Sequence, residues 1–147
     1  MTDYIKQSID IAAPVERVYR ALTDHVEFGS WFGANMEAPF ECGKFARGSV
    51  RFNGAEHIMA FRVVAMDRPD FFSFTWHPFA VKPEIDYSDE IPTLVEFRLK
   101  ATAAGTHLTV TESGFDAVPE ARRAEAFRMN NGGWEAQNRN LKTHVEG

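Results

Sequence analysis

Alternation of apolar and polar residues predicts six β-strands along the chain. Between Tyr4 and Ile11 the isoleucines fall on one face, and Lys6, Ser8 and Asp10 fall on the other. This period of two is typical of a half-buried strand. The same period recurs in five later segments, at 45–52, 56–66, 71–77, 93–100 and 107–115. Each predicted strand therefore has one apolar face to bury.

Apolar residues three and four positions apart predict two short helices after the first strand. The first helix starts with Pro14, because proline is tolerated in the first turn, where its missing N–H bonds nothing. Val18 and Leu22 continue its apolar stripe. Thr23 and Asp24 end that helix, and their side chains can cap a second helix that ends near residues 31–32.

The same spacing predicts a long helix from Pro119 to Val145. Its stripe comprises Ala124, Phe127, Asn131, Trp134, Asn138, Leu141 and Val145. Gly132 and Gly133 lie in mid-helix, where each glycine costs roughly 1 kcal/mol relative to alanine. The glycine pair therefore predicts close backbone packing or a bend beside Trp134.

A hairpin is predicted at Asn53-Gly54, because Asn-Gly between two strand-like runs is a strong turn signal. A two-residue turn pairs Phe52 with Ala55 and puts one apolar face inward. That face comprises Val50, Phe52, His57, Met59, Phe61 and Val63. Two segments lack a period: 35–43 is predicted as a loop, and 78–92 as a long loop that is either functional or mobile.

These elements predict an α+β fold. One antiparallel sheet with one wet face needs a single cover, and the long terminal helix is the only element large enough to supply it. A strongly curved sheet wrapped on such a helix commonly leaves a hollow between them. All 147 residues are expected to form a single domain, since the length suits one core.

The order of several short motifs resembles the Bet v 1-like or START-like (SRPBCC) superfamily, and most closely the bacterial proteins similar to the C-terminal domain of the activator of Hsp90 ATPase. The matching segments are 9–24, 31–33, 63–69, 74–76, 109–115 and 133–134. The resemblance implies a helix-grip fold with a cavity between sheet and terminal helix. It implies no single activity, because members include ligand carriers, cyclases and cochaperone domains.

Composition narrows the expected partners. The formal net charge is −5 and the basic residues are scattered, which argues against nucleic acid and against an anionic membrane surface. Cys42 is the only cysteine, predicted to be a half-buried loop thiol, so no internal disulfide forms. The first residues lack the features of a signal peptide, and a cytoplasmic location is expected. Thirteen phenylalanines suggest either an aromatic core or the lining of a hollow.

Polar residues at inward positions are the candidate functional groups. Glu112, His57, Asn131 and Asn138 interrupt apolar faces, and burying them dry is costly unless they are hydrogen-bonded. The candidate ligand-binding set comprises Phe52, His57, Met59, Phe61, Phe74, Trp76, Phe97, Glu112, Phe127, Asn131 and Trp134. Each of these side chains can equally be ordinary core, or, for the polar ones, bond to backbone or lie at a wet rim.

The leading functional prediction is a binding protein for a small hydrophobic or amphipathic molecule, with no cofactor and no metal. An enzyme that uses His57 and Glu112 as an acid–base pair is an alternative, and a cochaperone-like domain acting on an Hsp90 homologue is a third. No nucleophile, phosphate-loop or zinc motif is present in the sequence. A homodimer is compatible with the exposed sheet edge that this fold must manage.

Overall fold

The computed structural model describes residues 4–52, 54–82 and 84–147. Within these residues, seven strands, three α-helices and one 3-10 turn follow one another. In order they are β1 (Tyr4–Ile11), α1 (Val15–Thr23), α2 (His25–Phe32), β2 (Ala34–Met36), β3 (Phe45–Phe52), β4 (Ala55–Asp67), β5 (Phe71–Trp76), β6 (Thr93–Thr102), β7 (Gly105–Ser113), the 3-10 turn (Phe115–Ala117) and α3 (Glu120–Glu146).

All strands form one antiparallel sheet in the order β1-β7-β6-β5-β4-β3-β2. The first strand thus lies beside the last, and β2 forms the opposite edge. The hairpin between β3 and β4 has the predicted register, with Phe52 opposite Ala55 and Val50 opposite His57. Asn53, on which the turn prediction rests, lies outside the described residues. The α+β helix-grip prediction is confirmed.

The core is a layer of aromatic rings between the sheet and the helices. Phe61 and Phe74 on neighbouring strands have ring centroids 4.2 Å apart, and Phe28 from α2 packs on Phe61 at 5.5 Å. Phe72 and Phe97 stack at 5.9 Å. Offset and edge-to-face ring pairs of this kind add stability beyond the area that they bury. Much of the phenylalanine surplus is therefore core.

Asp24 joins the two short helices as predicted. Its side chain accepts hydrogen bonds from the main-chain N–H groups of Val26 and Glu27, which would otherwise lack partners at the start of α2. Pro14 and Pro119, predicted in the first turn of their helices, instead stand at the N-cap position, one residue earlier.

Three local expectations are wrong. The segment 35–43 is not entirely loop, because residues 34–36 pair with β3 as the edge strand β2. Cys42 is exposed rather than half-buried. Close packing at the glycine pair is wrong, because a Cβ atom at Gly132 or Gly133 would meet nothing within 4 Å. The alternative of a bend beside Trp134 stays a prediction.

Candidate functional site

A fully buried carboxylate lies at the centre of the molecule. Strict alternation along β7 turns Leu108, Val110 and Glu112 inward, and the side chain of Glu112 is 0% exposed. A carboxylate in such a place is strongly destabilising unless hydrogen bonds replace the water that it has lost. Glu112 therefore depends on the hydrogen-bond donors around it.

Four neutral side chains donate hydrogen bonds to Glu112. The indole N–H groups of Trp76 and Trp134 lie 2.8 Å from Oε2 and Oε1 respectively. The hydroxyl of Thr93 lies 2.6 Å from Oε2, and the amide of Asn130 reaches both oxygens at 3.0 and 3.1 Å. Indole and amide nitrogens only donate, so Glu112 acts as the common acceptor.

The four donors come from three elements of the fold. Trp76 ends β5 and Thr93 begins β6, while Asn130 and Trp134 lie one turn apart on α3. The rings of Trp76 and Trp134 stack with centroids 5.7 Å apart and planes inclined by 29°. The carboxylate thus fixes two indole rings against each other and ties the long helix to the sheet.

A cleft of about 520 Å³ opens beside this network. We call it the main cleft. Strands β3 to β5, the end of α2, Asn130 of α3 and the β5–β6 loop (residues 77–92) wall it. Its lining comprises Phe32, Val50, Phe52, His57, Ile58, Met59, Ala60, Trp76, His77, Phe79, Ala80, Val81, Asp86, Tyr87 and Asn130.

A smaller pocket of about 130 Å³, the side pocket, shares part of this lining. Phe32, Trp76 and Asn130 border both spaces, and Gly133 and Trp134 line the side pocket alone. Gly133 carries no side chain that could fill the side pocket. The pocket therefore stays open next to the helix backbone and the two indoles.

The β5–β6 loop is held over the main cleft by Arg122 of α3. The Arg122 guanidinium donates to the carboxylate of Glu90 and to the main-chain oxygen of Pro78, and it stacks 4.8 Å from the ring centre of Tyr87. Both charged side chains of this pair are largely buried. One guanidinium therefore contacts three points of the loop.

His77, at the start of the loop, donates from Nε2 to the main-chain oxygen of Glu90 over 3.0 Å. Burial lowers the pKa of His77, which Glu90 opposes and Arg122 reinforces. The ring is thus held in its neutral form with the Nε2–H tautomer.

The candidate residues divide between cleft and core. Phe52, His57, Met59 and Trp76 line the main cleft, and Trp134 lines the side pocket. Phe61, Phe74 and Phe97 are buried in the aromatic core, as Glu112 is behind the indoles. Phe127 packs edge-on against Phe115 at 5.0 Å and borders neither space.

The prediction for Asn131 is wrong. Its side chain is exposed at the edge of the molecule, where Oδ1 accepts a hydrogen bond from Gln7 of β1. The amide that points inward is Asn130. Both positions keep three- and four-residue spacing between Phe127 and Trp134, so periodicity alone does not choose between them. Hydrogen bonding to Glu112 decides the rotation of the helix.

The loop residues of the cleft, among them His77, Phe79, Asp86 and Tyr87, were not predicted. An irregular segment has no period from which side-chain direction can be read, and the sequence offered only its length and its position between two strands. The predicted strand 71–77 included His77, but β5 ends at Trp76.

His57 and Glu112 do not form a pair. His57 donates from Nε2 to the main-chain oxygen of Phe52 over 3.3 Å, whereas Glu112 is bonded to its four donors. Within the described part of the chain, no hydrogen bond joins the two. Proton transfer between them therefore has no support in this geometry.

Another concavity, of about 720 Å³, lies between α1 and residues Met66 and Arg68. It is an open groove whose charged side chains are already paired, Arg68 with Glu16 and Arg17 with Glu27. The main cleft is smaller, but it adjoins the buried network and has the more apolar residues.

Residues 12–146 match the family model described as activator of Hsp90 ATPase homolog 1-like protein. The chain belongs to this family. Its fold is that of the helix-grip SRPBCC superfamily, as the resemblance implied. Comparison with curated proteins finds no match.

Solved structures with the same fold cover nearly the whole chain. A protein from Arthrobacter aurescens is 16% identical with a TM-score of 0.81, over 98% of this chain and 86% of that one. A Mesorhizobium loti protein is 22% identical with a TM-score of 0.75, over 97% and 96%. The Aha1 dimer from Colwellia psychrerythraea is 20% identical with a TM-score of 0.72, over 99% and 97%. Among the described residues, no helix is long and apolar enough to cross a membrane.

Proposed function

We propose that the protein binds a small, largely aromatic molecule in the main cleft and the side pocket that shares part of its lining. The observation that carries the proposal is a concave space of about 520 Å³ walled by Phe32, Phe52, Trp76 and Phe79, with a few polar groups among the rings. Small-molecule sites typically combine an apolar concave wall with a few polar groups that orient the ligand. Family membership supports the same reading, without naming a ligand.

The buried network strengthens the proposal. A rigid wall loses little side-chain entropy on binding, which favours affinity. Trp76 forms part of the cleft wall, and its ring is fixed both by its bond to Glu112 and by stacking on Trp134. Glu112 is thus a positioning residue that orders the wall from behind, rather than a group that touches the ligand.

Two glycines of α3 give a matched test with Nile red, a neutral dye that fluoresces in apolar sites. Gly133 borders the side pocket and Gly132 borders neither space, yet both are exposed with open space at Cβ. We expect Gly133→Leu to weaken dye binding and Gly132→Leu to leave it unchanged, since both gain the same helix propensity.

Quenching of tryptophan fluorescence by the dye provides a second readout. Trp76 and Trp134 border the proposed site, whereas Trp31 is buried with its N–H bonded to the main-chain oxygen of Ala21. A Trp31→Phe protein should keep the quenching, and Trp76→Phe should lose part of it, with the rest due to Trp134. Absence of dye binding, or equal binding by both leucine variants, would overturn the proposal.

A further inference from the structure

The described lining of the main cleft contains one acidic side chain and neither lysine nor arginine. Among the described residues that border it or the side pocket, none is lysine or arginine. Asp86 is the acid, and hydrogen bonds from the main-chain N–H and side chain of Ser88 hold its pKa below the ordinary range. The guanidinium of Arg122, which contacts the β5–β6 loop, is already paired with Glu90. An anionic ligand would therefore find no counter-charge.

Glu112 also removes the hydrogen-bond donors from the cleft floor. The N–H groups of Trp76 and Trp134 and the amide group of Asn130 all point at the carboxylate. The Oδ1 atom of Asn130, which can only accept hydrogen bonds, remains available at the boundary of the cleft and the side pocket.

The two histidines of the cleft follow the same pattern. His57 and His77 each donate from Nε2 to a main-chain oxygen, and the neutral ring of His77 keeps Nδ1 as an acceptor. Tyr87 at the rim accepts from the N–H of Lys82 and keeps one O–H donor. The polar side chains of the lining are thus mostly acceptors, to which a ligand must bring donors.

Aromatic rings complete the chemistry of the cleft. Phe32, Phe52, Trp76, Phe79 and Tyr87 present ring faces or edges to the same space. Ring faces attract cations, most strongly those of tryptophan and tyrosine, and the attraction grows when the cation is desolvated. The Glu112 carboxylate behind Trp76 adds to the negative potential.

We propose that the ligand is a basic aromatic compound, a flat ring system with a protonated amine, and that the cleft discriminates against carboxylates. This inference rests on the proposed function. The ring system would lie against the aromatic walls, and the ammonium group would bring N–H donors to the acceptors and to Asp86. An acid of the same shape would face acceptors and a carboxylate without a compensating cation.

Three naphthalene compounds of matched shape test this ligand class by displacement of Nile red at pH 7.5. They are 2-naphthylmethylamine, which is protonated, the neutral 2-naphthalenemethanol, and the anion 2-naphthoate. We expect the ammonium compound to bind about tenfold or more tightly than the carboxylate, with the alcohol between them.

Two loop aspartates provide matched variants. Asp86→Asn removes the negative charge from the lining. It should weaken binding of the ammonium compound about threefold or more and leave binding of the alcohol unchanged. Asp89 is exposed in the same loop but lies outside the lining. Asp89→Asn should therefore change the affinity of neither the ammonium compound nor the alcohol.

Each outcome separates this inference from the proposed function. If Nile red binds but the carboxylate or the alcohol equals the ammonium compound, or if no compound displaces the dye, the ligand class is wrong and the binding site stands. Equal effects of Asp86→Asn and Asp89→Asn would also contradict it. If Nile red does not bind, both proposals fall.

Discussion

The indole of Trp134 donates its N–H to Oε1 of Glu112 over 2.8 Å, in a place where the side chains are 3% and 0% exposed. This bond connects the longest helix to the last strand of the sheet. Together with the bond from Trp76, it makes one carboxylate responsible for the orientation of both indoles.

We expect Glu112→Gln to destabilise the protein by about 1–3 kcal/mol, because its amide nitrogen would face groups that themselves donate. Urea unfolding measures the loss, and near-ultraviolet circular dichroism reports the tryptophan packing. Glu125→Gln, exposed on the same helix, is the control for removing a charge. Unchanged stability and dichroism in Glu112→Gln would show that the four donors do not depend on the carboxylate.

Tyr19→Phe should be as stable as the parent protein or up to about 1 kcal/mol more stable. Its hydroxyl is buried without a hydrogen-bond partner in the described part of the chain, and a buried unpaired hydroxyl is destabilising. Tyr4→Phe, an exposed ring on β1, controls for loss of a hydroxyl at neutral pH.

The same residue predicts an alkaline effect. Burial, followed by the charge of Asp67, raises the pKa of Tyr19 to about 12 from its ordinary value near 10.0. The neutral form is favoured on folding, so its contribution is present below pH 10 and is lost as the pH rises towards 12. The free energy of unfolding of Tyr19→Phe, measured by denaturant titration, should therefore rise relative to that of the parent between pH 10 and 12. A constant difference would contradict this.

Glu27 should make the protein sensitive to acid. Burial raises its pKa, but hydrogen bonds from His144, Arg17 and Arg20 outweigh burial and lower the pKa below 4.5. For a carboxyl with a lowered pKa, the stabilisation is present above the unfolded value and is lost as pH falls through the folded value. The expected window therefore lies below pH 4.5.

We expect Glu27→Gln to cost about 1–2 kcal/mol at pH 7, a difference that narrows in acid because the parent loses the same bonds. Glu16→Gln breaks an exposed pair with Arg68 and should cost at most about 0.5 kcal/mol. A difference between Glu27→Gln and the parent that persists unchanged at pH 3 would contradict the assignment.

Arg122→Met should loosen the β5–β6 loop. The methionine keeps part of the apolar stem but loses the bonds to Glu90 and Pro78. Hydrogen exchange should accelerate across the loop, and Nile red should bind more weakly. Arg128→Met, exposed on α3, serves as the control. Equal exchange in both variants would show that the loop is held by other contacts.

The strands and the buried acid were predictable because alternation indicates both where a strand lies and which of its side chains point inward. A carboxylate in phase with Leu108 and Val110 must point inward whatever holds it there. The strand β2 was missed because three residues cannot show a period of two. Its pairing with β3 is set by tertiary contact rather than by local pattern.

Periodicity alone could not identify which asparagine of α3 points inward. Asn130 and Asn131 differ by about 100° around a helix, and an apolar stripe is about that wide. The partners that choose between them, Glu112 and Gln7, lie on distant strands. The loop wall of the cleft was likewise beyond the sequence, since the contacts of the loop with Arg122 join distant parts of the chain.

The position of β1 bears on how the chain folds as it is made. Its neighbour in the sheet is β7, with Ile5 opposite Glu112, so the first strand emerges from the ribosome about a hundred residues before its partner exists. Lys142 of α3 then bonds the main-chain oxygen of Asp10. Such distant pairings slow folding. The edge of β1 that β7 covers would stay unpaired until residues 105–113 have been made, so β1 spends most of the synthesis of this domain without its partner strand.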